Sequence, residues 1–225
     1  MTRFLERTLQ SYPRPYLTDA ELEALLDGTP DSRYGKVKRL LAQGKLLHIR
    51  RGLYCLTDMV GYLTKPHPYE LAQYIYGPSY ISLESALSFH KLIPETVYTI
   101  TSATGKRSKE FQTPLGLFSY LHLPLENFYT EVELIKENGY QFFMAKPWKA
   151  ICDYVFCYRK DWNSLEPLLE SLRINREDLP ILRNEEIQLL DEYYQHTRVS
   201  RFLKGIQRDL SQPLNYLAKE LVREI

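Results

Sequence analysis

Between Ser32 and Tyr54 the chain carries seven basic side chains, Arg33, Lys36, Lys38, Arg39, Lys45, Arg50 and Arg51, and no acidic one. Guanidinium and ammonium groups crowded in this way neutralise phosphates and donate hydrogen bonds to base edges, so the chemistry on offer is the gripping of a polyanion. Over its full 225 residues the chain is nearly balanced, with 29 Lys+Arg against 28 Asp+Glu. The basic segment is therefore a local feature set in an otherwise mildly acidic chain.

The elements that must hold these charges are given by punctuation and periodicity. Ser11–Tyr16 has two prolines in three positions and separates a short N-terminal helix from the next element. Thr18 and Glu21 have capping-box spacing, and Leu22, Leu25 and Leu26 recur at i, i+3, i+4, which predicts a short helix over 19–27 and then a turn at Asp27–Asp31. Ser32 is positioned to cap a further helix that runs to about Gln43 and stops at Gly44, with Val37, Leu40 and Leu41 as its buried stripe. At 100° per residue, Ser32, Lys36, Arg39 and Gln43 share the side away from Val37 and Leu41, with Lys38 on the other flank. From Leu46 to Leu56 the period changes to two, predicting two short strands joined at an Arg50-Arg51-Gly52 tip.

Helix, helix, basic helix and basic-tipped hairpin is the order of a winged helix-turn-helix, expected over residues 1–62. In that geometry the basic helix enters a major groove while the hairpin approaches a neighbouring phosphate or minor groove. Groove or base-reading roles fall to Ser32, Lys36, Arg39 and Gln43, and phosphate roles to Lys45, Arg50, Arg51 and Lys38. His48 is assigned to packing. Two plainer readings stand beside this one: winged helices also dock proteins, and a charged helix face is often simply solvated.

After the proline-flanked stretch Tyr62–Pro68 the basic excess disappears, and a second domain of α+β class is expected over 63–225. Helices are predicted at about 69–76 and 82–90, then strands at Val97–Ala103, Gly116–Leu123 and Gln141–Ala145. A helical part begins at Lys149, with helices near 164–172, 183–195, 198–209 and 214–224. Lys106, Arg107 and Lys109 form a second basic turn between strands. It reads as solvated, with an acidic partner surface as the alternative.

Enzyme motifs fail when checked. No phosphate loop or Gly-x-Ser-x-Gly elbow occurs, Thr104–Ser108 lacks the upstream glycine of a phosphate loop, and no Glu-x-Lys spacing of a metal-dependent nuclease is present. His48, His67, His90, His122 and His196 are scattered, and Cys55, Cys152 and Cys157 have no paired ligand spacing. Lys149 and Asp153 are read as a modest i, i+4 contact on a helix surface. No catalytic group, metal or cofactor is expected. With no apolar run approaching the ~20 residues of a membrane span, and a carboxylate in Met1–Glu6 where a signal peptide is apolar, a cytoplasmic protein with reduced thiols is expected.

Several stretches resemble the AbiEi-type antitoxins of abortive-infection systems: Tyr34–Tyr54 (YGKVKRLLAQGKLLHIRRGLY), Tyr80–Ile93 (YISLESALSFHKLI), Thr99–Ser102, the Lys106-Arg107 turn, Thr113–Phe118 (TPLGLF) and Ala145–Ala150 (AKPWKA). The resemblance covers roughly residues 16–160. It implies a bacterial type IV toxin–antitoxin component that represses its own operon, as monomer or dimer, by binding inverted repeats in double-stranded DNA. A C-terminal domain then counters a nucleotidyltransferase-like toxin. The family also includes regulators whose toxin gene is absent or replaced. The match carries DNA roles onto Lys36, Arg39, Arg50 and Arg51 and identifies no antitoxic surface.

Overall fold

A computed structural model describes Leu9 and residues 12–57, 65–124 and 126–211. Its first part runs β1 (Tyr16–Thr18), α1 (Asp19–Leu25), α2 (Pro30–Ala42), β2 (Leu46–Arg50) and β3 (Leu53–Leu56). The capping box at the start of α1 is complete: Thr18 Oγ1 accepts from the Glu21 N–H, and Glu21 Oε2 accepts from the Thr18 N–H at 2.7 Å. Helix α2 begins two residues before Ser32. Thr29 is the cap, its hydroxyl accepting from the Ser32 N–H at 3.3 Å, and Pro30 takes the first helical position, where its missing N–H costs nothing. Gly44 ends the helix with φ +66°, and Gly52 makes the hairpin tip with φ +77°.

The three strands form an antiparallel sheet of order β1-β3-β2, Tyr16 opposite Cys55 and Leu46 opposite Leu56. Alternation along β3 and β1 sends Leu17 and Leu56 into a small core with Leu22, Leu26, Leu40 and Leu46. The other face of the same strands sends Tyr16, Leu53 and Cys55, with Ile49 of β2, into the main core of the protein beside Leu71, Ala72 and Ile75. Both faces of the small sheet are covered, so the N-terminal elements share a core with the rest. The expected boundary between 62 and 63 lies outside the described residues. So does the expected helix at 214–224; of the expected N-terminal helix only Leu9 is described, buried in the small core.

The main body is a six-stranded mixed sheet of order β6-β7-β5-β4-β9-β8, built from β4 (Ser79–Ile81), β5 (Ile100–Thr104), β6 (Lys109–Thr113), β7 (Gly116–His122), β8 (Val132–Glu137) and β9 (Tyr140–Ala145). β5 runs parallel to β7, and β4 parallel to β9. Helices α3 (Pro68–Ile75), α4 (Leu83–Phe89) and α5 (Pro147–Cys157) pack on the central strands. α6 (Glu166–Leu172), α7 (Asn184–Tyr194) and α8 (Thr197–Ser211) complete the helical part, with α8 against α5 and α7. The α+β class holds. None of the helices among the described residues is long and apolar enough to cross a membrane.

Three of the six strands escape the alternation rule for physical reasons. β4 is buried on both faces, so Ser79, Tyr80 and Ile81 show no period. β6 and β8 are sheet edges carrying Lys109, Glu110, Glu133, Lys136 and Glu137, charges that protect an edge from pairing with another chain. Lys109 accordingly belongs to a strand and not to the turn assigned to it.

Helix α8 comes so close to the segment before α6 that a Cβ on Gly205 would lie 1.9 Å from the Asn163 carbonyl oxygen. Gly205→Ala is expected to cost about 1–3 kcal/mol, the usual range for overpacking. The check is the urea midpoint; an unchanged midpoint would mean that α8 does not sit on Asn163.

Candidate nucleic-acid interface

Leu40 is the buried centre of α2, at 4% exposure, whereas Val37 and Leu41 are only half-buried. The solvent face is therefore centred opposite Leu40, which places Lys38 in its middle, with Tyr34, Gly35 and Ala42 around it and Arg39 on the flank. This rotates the expected stripe. Ser32, Arg39 and Gln43 remain exposed at one margin, but Lys36 is half-buried and its ammonium donates to the Asp27 carbonyl, closing the turn between α1 and α2. Tyr34, 72% exposed, stands among the cations and was not singled out by periodicity. The available signal was its position four residues before Lys38, on the same helix face.

At the hairpin tip the two adjacent arginines part company. Arg51 is exposed. Arg50 turns back, donating through Nη2 to the Tyr74 carbonyl at 3.1 Å and through Nη1 to the Arg51 carbonyl at 2.7 Å. Tyr74 lies in the last turn of α3, where unsatisfied carbonyls hold the negative end of the helix dipole and attract a guanidinium. Arg50 thus fastens the hairpin to α3 and departs from the phosphate role expected of it. Arg50→Gln is expected to lower stability by about 1–2 kcal/mol, measured by urea unfolding. In a titration with duplex DNA it should show the same salt dependence as wild type; a shallower dependence would return Arg50 to the phosphate contacts.

Lys45 is half-buried at the foot of β2. On the far side of the hairpin, Asp19 sits beside the tip: its N–H donates to the Gly52 carbonyl at 3.3 Å. Burial, and then the charge and hydrogen bonding of Asp19, push the Tyr54 hydroxyl up, so it stays a neutral phenol bracing the hairpin against α1. Among the described residues no carboxylate lies within ion-pair distance of Lys38, Arg39 or Arg51. Three cations on α2 and the tip are thus available to an external anion.

Lys106, Arg107 and Lys109 remain exposed but are spread over local partners. The Lys106 ammonium donates to the Gly77 carbonyl, just beyond α3, and lies 5.1 Å from the centre of the Tyr76 ring. The Arg107 carbonyl accepts from the Tyr76 hydroxyl at 3.2 Å, and Lys109 covers the Phe111 ring at 4.8 Å. The end of α3 gathers Arg50 from one hairpin and Lys106 from another turn.

The chain matches no protein-family model and no curated protein. What it can bind is accordingly argued from its own groups.

Elsewhere, Lys149 and Asp153 are not the surface pair that their spacing suggested. Both are fully buried, 2.6 Å apart, because nearly the whole of α5 from Trp148 to Val155 is enclosed by β9, α4 and α8. An i, i+4 spacing reads the same on a surface helix as on an enclosed one. Burial also pushes up the thiols, Cys55 to about 11 and Cys152 and Cys157 higher, so thiolate is scarce near neutral pH.

Proposed function

We propose that this chain is a DNA-binding transcriptional repressor with an N-terminal winged helix-turn-helix, acting as the antitoxin of a type IV toxin–antitoxin system of AbiEi type. On this reading it regulates its own operon through inverted repeats and counters a nucleotidyltransferase-like toxin. The element order β1-α1-α2-β2-β3, with β1 paired to β3, fits a winged helix whose recognition helix is α2 and whose wing is the β2–β3 hairpin. The observation that carries the proposal is the set of cations without an ion-pair partner among the described residues, Lys38 and Arg39 on the outer face of α2 and Arg51 on the hairpin tip. Lys38 and Arg51 suit phosphates, while Arg39, Gln43 and Ser32 suit base edges. Tyr34 adds a ring able to meet a thymine methyl or a sugar. Reading inverted repeats requires two copies on one operator, one helical turn or a multiple of it apart.

The test is selection of duplexes from a random pool by the full chain, then anisotropy titration over a range of salt. Recovery of a repeated half-site bound with a steep salt dependence supports the repressor; weak binding indifferent to salt overturns it. Antitoxicity is read separately, as growth rescue on co-expression with the nucleotidyltransferase of the same operon. A second reading, a protein-docking winged helix or a solitary regulator without antitoxic activity, is favoured by one observation. Tyr34 stands exposed on the face of α2 that also carries the small residues Gly35 and Ala42, a combination that also suits a protein partner.

A further inference from the structure

Along α8 the basic residues Arg198, Arg201, Lys204 and Arg208 precede the first acid, Asp209. Val199, Phe202, Leu203 and Ile206 fill the buried side, so the four cations fall within roughly a third of the helix circumference. Arg198 with Arg201, Arg201 with Lys204, and Lys204 with Arg208 are spaced at i, i+3 or i, i+4, where like charges destabilise a helix. In a chain with almost equal numbers of acids and bases this is a costly arrangement, and an external anion relieves it.

The cations also face a concave surface. Because Gly205 lets α8 approach Asn163 so closely, the helix and the segment before α6 form the walls of a groove of about 420 Å³. Arg201, Lys204 and Arg208 line it with Thr197 and with Ser200, whose hydroxyl donates to the Asp191 carboxylate, and no carboxylate or aromatic ring is among its lining residues. Nearby acids only partly offset the charge. The single Asp161 carboxylate serves both Arg198 and Arg201, at 3.3 and 3.1 Å, while Asp209 lies 3.6 Å from Arg208 and accepts from the Leu165 N–H. Lys204 has no ion-pair partner among the described residues.

We infer that this groove binds adjacent phosphate groups without reading a nucleobase. Its donors outnumber its acceptors, as an oxygen-rich anion requires, and it lacks the ring on which a base would stack. The source of the phosphates is either a nucleic-acid backbone or a free polyphosphate. The site lies on elements other than α2 and the β2–β3 hairpin, and stands whether or not those elements bind DNA.

The test uses the full chain at low salt with two probes, inorganic tripolyphosphate by calorimetry and a labelled oligo-dT by anisotropy. Wild type is expected to bind, more weakly as salt is added. Lys204→Gln should reduce affinity about 5-fold, and Arg201→Gln/Lys204→Gln/Arg208→Gln about 100-fold. Substituting Lys38, Arg39 and Arg51 by Gln should leave tripolyphosphate binding intact, which separates this groove from the α2 interface. Tighter binding of oligo-dT identifies a nucleic-acid backbone as the source, and tighter binding of tripolyphosphate identifies a free polyphosphate. Because Arg201 and Arg208 also make contacts within the fold, Lys204→Gln decides the matter if the triple variant melts early. Equal affinities of wild type and Lys204→Gln for both probes, or no binding of either probe by wild type, would overturn the inference.

Discussion

Asp153→Ala is expected to remove a large part of the stability of the protein. Its carboxylate, fully buried, accepts from Lys149 Nζ at 2.6 Å, Ser82 Oγ at 2.5 Å, the Tyr80 hydroxyl at 3.0 Å and the Tyr194 hydroxyl. Lys149 in turn donates to the Tyr194 hydroxyl at 2.9 Å and lies 3.9 Å from the centre of the Tyr193 ring. This network ties β4 and the start of α4 to α5 and α7. Burial pushes the Lys149 ammonium down, with Asp153 opposing that shift; burial and then Asp153 raise the Tyr80 and Tyr194 hydroxyls far above their ordinary range. Removing the carboxylate leaves an ammonium enclosed without its counter-charge, at about 3–5 kcal/mol, against a typical total of about 5–15 kcal/mol.

The mechanism can be separated from simple loss of packing. Lys149→Met/Asp153→Leu removes both charges and should recover part of the loss. It cannot recover all of it, because the Ser82, Tyr80 and Tyr194 hydroxyls lose their acceptor, each worth about 1–3 kcal/mol when stranded. The expected order in urea unfolding is wild type, then the double variant, then Asp153→Ala. A double variant no more stable than Asp153→Ala would show that the stranded charge is not the cause.

Lys38→Gln/Arg39→Gln/Arg51→Gln carries the second large effect, now on binding. If each cation neutralises one phosphate, the slope of log affinity against log salt becomes shallower by about 0.9 per contact, and at 0.1 M salt affinity falls by roughly two to three decades. The substitutions lie at exposed positions, so unfolding midpoints should stay near wild type. Singly, Arg39→Gln distinguishes two roles. A phosphate contact changes the slope for every sequence alike, whereas a base contact relaxes preference at one position of the half-site and leaves the slope nearly intact. A triple variant that keeps both the affinity and the slope of wild type would remove α2 and the wing from DNA recognition.

Of the candidate site, the cluster of charge was legible and its orientation was not. Counting residues between Ser32 and Tyr54 finds the cations, since charge is a property of composition. Which cations face solvent depends on where the helix is deepest, and Leu40 rather than the Val37–Leu41 side sets that direction. Arg50 and Arg51 are neighbours with identical chemistry. They diverge because one ends a strand beside the carbonyls of α3 while the other occupies the tip.

The local sequence by itself determined the Thr18–Glu21 capping box, the stop of α2 at Gly44 and the hairpin turned by Gly52, whereas the start of α2 at Thr29 and Pro30 lay in a stretch read as a turn, with Ser32 taken for the cap. The capping box, the stop and the hairpin turn depend on interactions within a few residues, which no distant partner needs to supply. Tertiary structure alone decided the parallel pairings of β4 with β9 and β5 with β7, the enclosure of Lys149 with Asp153, and the capture of Arg50 by α3. Each joins groups far apart in the chain or depends on how completely an element is surrounded. The reason is that hydrophobic periodicity reports one buried face at a time, and is silent where a segment is buried on all sides or exposed at an edge.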